Sequence, residues 1–191
     1  MFLTENELKK ISFKKIGNDV LISDKCSIYN AENIEIGSNV RIDDYTILSA
    51  GEEGIKIGSN VHIACYTSLI GGGEIVIEDF SQISSRVTIL SSSDDFSGDF
   101  LIGPCIPKEF TNVKSNKIHL MKHSVIGTNS VVLPGVVMYE GAAVGAMSLV
   151  KNNVDSFTIV GGIPAKKIRN RNNKIMDLEI NFLQKNFYEN K

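Results

Sequence analysis

Residues 125–150 read VIGTNSVVLPGVVMYEGAAVGAMSLV, and the spacing inside this stretch decides the fold. Its aliphatic residues Ile126, Val132, Met138, Val144 and Val150 fall six apart each time. A period of six fits neither a 3.6-residue helix nor the alternation of one long strand. It suits a solenoid in which each short strand gives one aliphatic and one small residue to a shared interior, then turns a corner. The small residues stand four places on, at Ser130, Val136 and Ser148. Upstream, the same period runs through Ile57, Ile63 and Leu69, then through Ile77, Ile83 and Ile89. An earlier run holds Ile16, Ile22, Ile28 and Ile34, after which Ile36, Ile42 and Leu48 resume two residues out of phase. Val40, Thr46, Val61, Thr67 and Ser81 are the matching small or β-branched residues. Such repetition outranks local propensity. A single unit cannot bury its own apolar edge, so stacked neighbours must complete the core, with parallel ladders satisfying the backbone.

Composition narrows the class only a little. The 191 residues suit one domain, 1–191. A net charge of −2 and a pI near 5.9 give no electrostatic case for nucleic acid or an anionic membrane. No apolar run approaches the roughly 18 residues of a membrane span, and the N-terminus, with Glu5 and Glu7, lacks a signal-peptide apolar core. Cys26, Cys65 and Cys105 are widely spaced and read as reduced thiols of a cytoplasmic protein.

Three segments lie outside the hexads. Residues 1–15 form an N-terminal cap, where Thr4 and Glu7 make a capping box and predict a short helix over 4–12. The solenoid spans 16–168 and is interrupted by a loop at 94–117. Residues 169–191 form a helical tail, with Ile175, Leu178 and Phe182 on one helix face between about 172 and 188. The loop carries Gly98, Gly103, Pro104 and Pro107, yet also Phe96, Phe100, Leu101, Ile106 and Phe110. That is too apolar for a free linker, and a long loop inside a compact repeat is a place to seek function.

Taken together, the hexads from about 16 to 168 and the closing Val160-Gly161-Gly162-Ile163-Pro164-Ala165-Lys166 resemble the hexapeptide-repeat acyltransferases. The resemblance implies an all-β fold, a left-handed parallel β-helix of triangular section. Its handedness comes from the resemblance alone, since parallel crossovers are otherwise right-handed. The resemblance also implies a homotrimer with a site in each groove between neighbouring β-helices, the loop reaching toward the adjacent copy. Acetyl-CoA is the implied co-substrate, and no metal is expected. By position in the family's pattern, Thr128 and Ala146 are carried over as pantetheine neighbours. Lys151, Lys166 and Arg169 are carried over as contacts for the phosphate or adenine end, cations suiting phosphates.

The implied reaction is acyl transfer to an amine or hydroxyl of a sugar, with a general base and an oxyanion donor. Relatives acting on hydroxyls commonly carry a His in the segment aligning with Ser91–Phe96, where this chain has Asp94-Asp95. A carboxylate with an ordinary pKa near 3.9 is a weak base for a sugar hydroxyl, unlike an imidazole near 6.5. An amino-sugar nitrogen needs less help, and Asp94 or Asp95 can hold its ammonium. The departure therefore favours N-acetylation of an amino sugar. Within the family, enzymes acetylating dTDP-linked 4-amino-4,6-dideoxyglucose for O-antigen are the nearest analogy. Sugar O-acetylation is the alternative, and a non-catalytic β-helix scaffold is a second.

Each of the three histidines is a candidate base as well as a plain hydrogen-bonding residue. His62 closes the hexad Ile57–His62, a position some amino-sugar N-acetyltransferases of this fold use for a catalytic His. His119 precedes the core position Leu120, and His123 follows the loop on a coil entering the expected cofactor groove. His123 is the leading alternative, so the catalytic candidates are Asp94, Asp95 and His123. Some β-helices of this type bind zinc through three histidines about 2 Å from one ion. The acyltransferase-like loop and Gly-Ile-Pro-Ala-Lys end argue against that.

Overall fold

In the computed structural model, which describes residues 1–189 (186–189 by backbone alone), each coil is built from three short strands and three corners. Asn190 and Lys191 of the expected tail lie outside the described residues. The strands stack into three sheets of six, eight and six strands. The first face runs from Lys15–Ile16 through Ile34–Ile36, Ile55–Ile57, Ile75–Ile77 and Ile118–Leu120 to Val137–Met138. The second face runs from Val20–Ile22 through His62–Ile63, Gln82–Ile83 and Val125–Ile126 to Thr158–Gly161. The third face runs from Ser27–Tyr29 through Ser68–Gly71 and Thr88–Leu90 to Leu149–Val150.

Register places the hexad residues directly over one another. Ile36, Ile57, Ile77, Leu120 and Met138 pair in sequence up the first face. Ile42, Ile63, Ile83, Ile126 and Val144 do so on the second. Leu48, Leu69, Ile89, Val132 and Val150 do so on the third. All of these are buried, each burial being worth about 1.5–3 kcal/mol. The small hexad residues are buried beside them, and their hydroxyls find carbonyls. Thr67 Oγ1 donates to Ser84 O at 3.0 Å and Ser148 Oγ to Gly145 O at 2.7 Å. Ser91 Oγ, at the root of the loop, is the buried side-chain polar atom without a partner among the described residues.

The two-residue slip between Ile34 and Ile36 has a local cause. The 3₁₀ turn Ala31–Asn33 lengthens the corner between third and first faces, and Ile34 and Ile36 then share one strand with both side chains buried. The same corner is lengthened in the next coils by Gly51–Gly54 and Gly72–Glu74, so the long interruption after Ser93 enlarges a corner already the loosest of the three. Ser92–Ser93 and Lys114–Ser115 pair antiparallel as its neck.

Both ends of the stack are closed. Helix α1 (Glu5–Lys10) has the full Thr4/Glu7 capping box and buries Leu8 against the first coils. At the other end the chain reverses, and Lys166–Asn170 pairs antiparallel with Thr158–Gly161. Residues 169 and 170 are thus strand, and helix α2 (Ile175–Glu189) begins after them. Arg171 Nη1 donates to His123 O and Gly141 O, and Phe182 of α2 meets Phe80 edge-on with ring centroids 5.9 Å apart. No described helix is long and apolar enough to cross a membrane.

Candidate active site

The corner between second and third faces gathers the features an acyl carrier needs. Successive coils place Ser84-Ser85, Gly127-Thr128 and Gly145-Ala146 there, one above another. Thr128 Oγ1 donates to Ser85 O at 2.6 Å and lies 3.1 Å from Ser85 Oγ. With the Thr128 proton committed, the Ser85 hydroxyl is the donor between them. Small residues are required here: a Cβ on Gly127 would lie 2.5 Å from Ala146 N. Among the described residues no carbonyl receives the backbone N–H of Ser85, Thr128 or Ala146. The edge therefore presents a column of unpaired donors, suited to amide carbonyls or to a developing oxyanion. Above it sits the Gly161–Ala165 turn, held by Gly162 N–H to Ser148 Oγ at 3.1 Å and Ala165 N–H to Leu149 O at 2.8 Å. Thr128, Ala146 and Lys166 thus share one edge. Arg169 lies three residues farther along the reversed strand, and Lys151 follows Val150 at the opposite end of the third face.

The paired carboxylates differ sharply. Asp95 accepts from Ser97 N–H at 2.8 Å and Asn112 Nδ2 at 2.6 Å, and these bonds hold its carboxyl below the ordinary carboxylate range. It staples the loop. Asp94, half-buried at the loop root, has no partner for its carboxylate among the described residues. The loop's apolar side chains are left open, with Phe96 82% and Leu101 58% exposed.

Each histidine is joined to a carboxylate: His62 to Asp43 at 2.7 Å, His119 to Glu78 at 2.6 Å and His123 to Glu179 at 2.6 Å. His123 lies at the corner between first and second faces, 7% exposed and stacked on Phe80. Within one chain it does not meet Asp94, which leaves from another corner. His62, Phe80, His123 and α2 line a groove of about 590 Å³ on the second face. Among the described residues no three His, Cys, Asp or Glu side chains gather as a metal would require. Sequence reasoning passed over Ser84 and Ser85, because their hexad keeps the same aliphatic period as its neighbours. The signal was three consecutive polar residues where a corner usually has a Gly or an acid.

Fold and edge together define an acyltransferase of the hexapeptide-repeat, left-handed β-helix class. No protein-family model matches the chain. It is 49% identical over 178 residues, 93% of each chain, to a dTDP-4-amino-4,6-dideoxy-D-glucose acyltransferase of Escherichia coli. It is 50% identical to the S84C variant of AntD, an N-acyltransferase from Bacillus cereus, solved with dTDP-4-amino-4,6-dideoxyglucose and coenzyme A, with TM-score 0.92 over 96% of this chain and 97% of that one. AntD has also been solved with dTDP and 3-hydroxybutyryl-CoA. A maltose O-acetyltransferase from Clostridium difficile, 16% identical, shares the fold at TM-score 0.57 over 88% of this chain and 74% of that one. The chain belongs to the family of dTDP-4-amino-4,6-dideoxyglucose acyltransferases.

Proposed function

We propose that this protein transfers an acetyl group from acetyl-CoA to the amino group of a dTDP-linked 4-amino-4,6-dideoxy sugar, a precursor of surface polysaccharide. The working form is a homotrimer with a site between each pair of neighbours. One observation carries the reading: the donor-lined edge and the loop root with its unpartnered Asp94 flank the same face, on opposite sides. The third face projects Ile47, Ile70, Leu90, Val131 and Leu149 outward beside Ser27, Ser49, Ser68 and Thr88 and carries no charge, whereas the first face projects Lys15, Glu35, Lys56 and His119 beside Val76 and Val137. Burying the apolar face about a threefold axis brings the loop of one copy to the edge of the next.

In that cleft Thr128, Ala146 and the Gly161–Ala165 turn hold pantetheine, and Lys166 and Arg169 meet the nucleotide end. Asp94 of the adjacent copy holds the acceptor's ammonium and takes its proton. The freed amine attacks the thioester carbonyl, the C–N bond forms, the C–S bond breaks, and the departing thiolate takes the second proton that the nitrogen loses on becoming an amide. The N–H groups of Ser85 and Thr128 face the oxyanion. AntD has been crystallised with D94A, D94N, S84A, S84C and S84T changes. This chain has Asp94 and Ser84 at the same numbers, which supports the assignment.

The test is thiol release from acetyl-CoA, and from longer acyl-CoAs, across nucleotide-linked amino sugars and their hydroxyl counterparts. Turnover with the amino sugars is the expected result. Turnover with hydroxyl acceptors alone would overturn the N-acyl reading.

A further inference from the structure

The loop that carries Asp94 leaves the solenoid through a neck of only two pairs, Ser92 with Ser115 and Ser93 with Lys114. Asp94 is the first residue beyond those pairs, so the neck sets where it stands. Its carboxylate has no partner among the described residues, and in the proposed trimer it works at the edge of a neighbouring copy. A two-residue ribbon alone is a weak support for that task, because an isolated hairpin is marginal in water. One chain of hydrogen bonds stiffens it. The N–H of Gly72, in the corner of the preceding coil, donates to Ser92 Oγ at 2.5 Å. Ser92 Oγ in turn lies 2.7 Å from Ser115 Oγ across the neck. Both strands of the ribbon are thereby tied to the backbone of a packed coil.

Neighbouring side chains give no such tie. Ser91 Oγ is buried without a partner among the described residues. Ser93 Oγ turns to the carbonyl of Asp94 at 3.0 Å, and Lys114 Nζ lies 4.0 Å from Asp95. The corner is shaped for the hydroxyl pair: a Cβ on Gly72 would lie 2.9 Å from Ser115 Oγ and 3.2 Å from Ser92 Oγ.

We propose that Ser115 is a positioning residue for acyl transfer that acts through Asp94. With Ser92 and Gly72, its hydroxyl fixes the neck, and the neck aims the Asp94 carboxylate at the amine bound in the adjacent cleft. Proton transfer needs hydrogen-bond reach, roughly 2.6–3.2 Å between heavy atoms. A displacement of about 1 Å can cost about a hundredfold in rate. Ser115 therefore governs the rate and leaves the binding of the acyl donor alone. The inference rests on Asp94 being the proton acceptor.

The test is a mutant cycle on the full-length protein with acetyl-CoA and a nucleotide-linked amino sugar, read as kcat, both KM values and Tm. Ser115→Ala should lower kcat by about tenfold, a part of the penalty for ångström-scale misplacement. The KM for acetyl-CoA and the Tm should match wild type. Ser115→Thr, which keeps the hydroxyl, should retain most of the rate. Gly72→Ala, which crowds the hydroxyl pair while leaving both serines in place, should lower kcat as Ser115→Ala does. In an Asp94→Asn background, Ser115→Ala should cause no further loss, because the group it aims is gone. Wild-type kcat in Ser115→Ala, or losses that multiply in the double variant, overturns this assignment alone. Wild-type kcat in Asp94→Asn removes that carboxylate from the chemistry, and the inference falls with it.

Discussion

Glu179 of α2 accepts a hydrogen bond from His123 Nε2 at 2.6 Å, and both side chains are only 9% exposed. Lys122 Nζ reaches the other carboxylate oxygen at 3.0 Å. Burial pushes the Glu179 carboxyl up, but the bonds from His123 and Lys122 outweigh it and hold it below its ordinary value of 4.5. A carboxyl depressed in the folded state adds stability above its unfolded pKa and loses it as pH falls through the folded value. Docking of α2 should therefore be constant above about pH 5 and weaken below 4.5. Hydrogen exchange of α2 against pH checks this. Glu179→Gln should remove most of the acid dependence and cost about 1–3 kcal/mol of local protection.

The two neighbouring aspartates should separate cleanly. Asp94→Asn should lower kcat by about 10²–10⁴, the usual range for a positioned proton acceptor, while leaving the melting temperature unchanged. Asp95→Ala frees Ser97 N–H and Asn112 Nδ2 together. Faster proteolytic nicking between residues 96 and 113 is the expected outcome. Equal activity losses in both variants, with no change in nicking, would contradict this division.

Most of the solenoid was legible because one period fixes both burial and register: Ile57, Ile77 and Leu120 stack although unequal stretches of chain separate them. The capping box of Thr4 and Glu7 was equally plain, being local. The site was less so. Nothing in sequence separates Asp94 from Asp95, since the distinction depends on Asn112 folding back across the loop. His123 and Asp94 are close in sequence once the loop is set aside, yet they occupy different corners, and corner identity follows from where strands end. The tie from Gly72 through Ser92 to Ser115 was invisible because its members are about twenty residues apart and meet only once the loop closes into a neck.

The cysteines should react in a fixed order. Cys105 is exposed on the loop. Cys26 is partly buried, donates to Asp43 O at 3.2 Å, and burial pushes its thiol up to about 11. At pH 8 a thiol of pKa about 11 is about 0.1% thiolate, and thiolate is the reactive form. Timed labelling with a maleimide followed by mass spectrometry should modify Cys105 first, with Cys26 modified slowly unless the protein is unfolded. Comparable rates at both would show that the first coils open readily.

Two glycines on the donor-lined edge make a matched test of how tightly the coils are stacked there. A Cβ on Gly127 would lie 2.5 Å from Ala146 N and 2.8 Å from Gly145 C, both backbone atoms that cannot swing aside. A Cβ on Gly145, one coil later in the same corner, would meet Val160 O at 3.5 Å, an ordinary contact. Gly127→Ala must therefore spread two coils and lengthen ladder hydrogen bonds such as Gly127 N–H to Val144 O, 2.8 Å. A cost of about 1–3 kcal/mol follows, as for other overpacked interiors. Gly145→Ala should stay within about 0.5 kcal/mol of wild type. Urea midpoints of the two variants decide it. Because the spread would also separate Thr128 from Ala146, Gly127→Ala should raise the KM for acetyl-CoA, and Gly145→Ala should not. Equal midpoints and equal KM values would mean that the edge adjusts its spacing freely and that small residues are not required there.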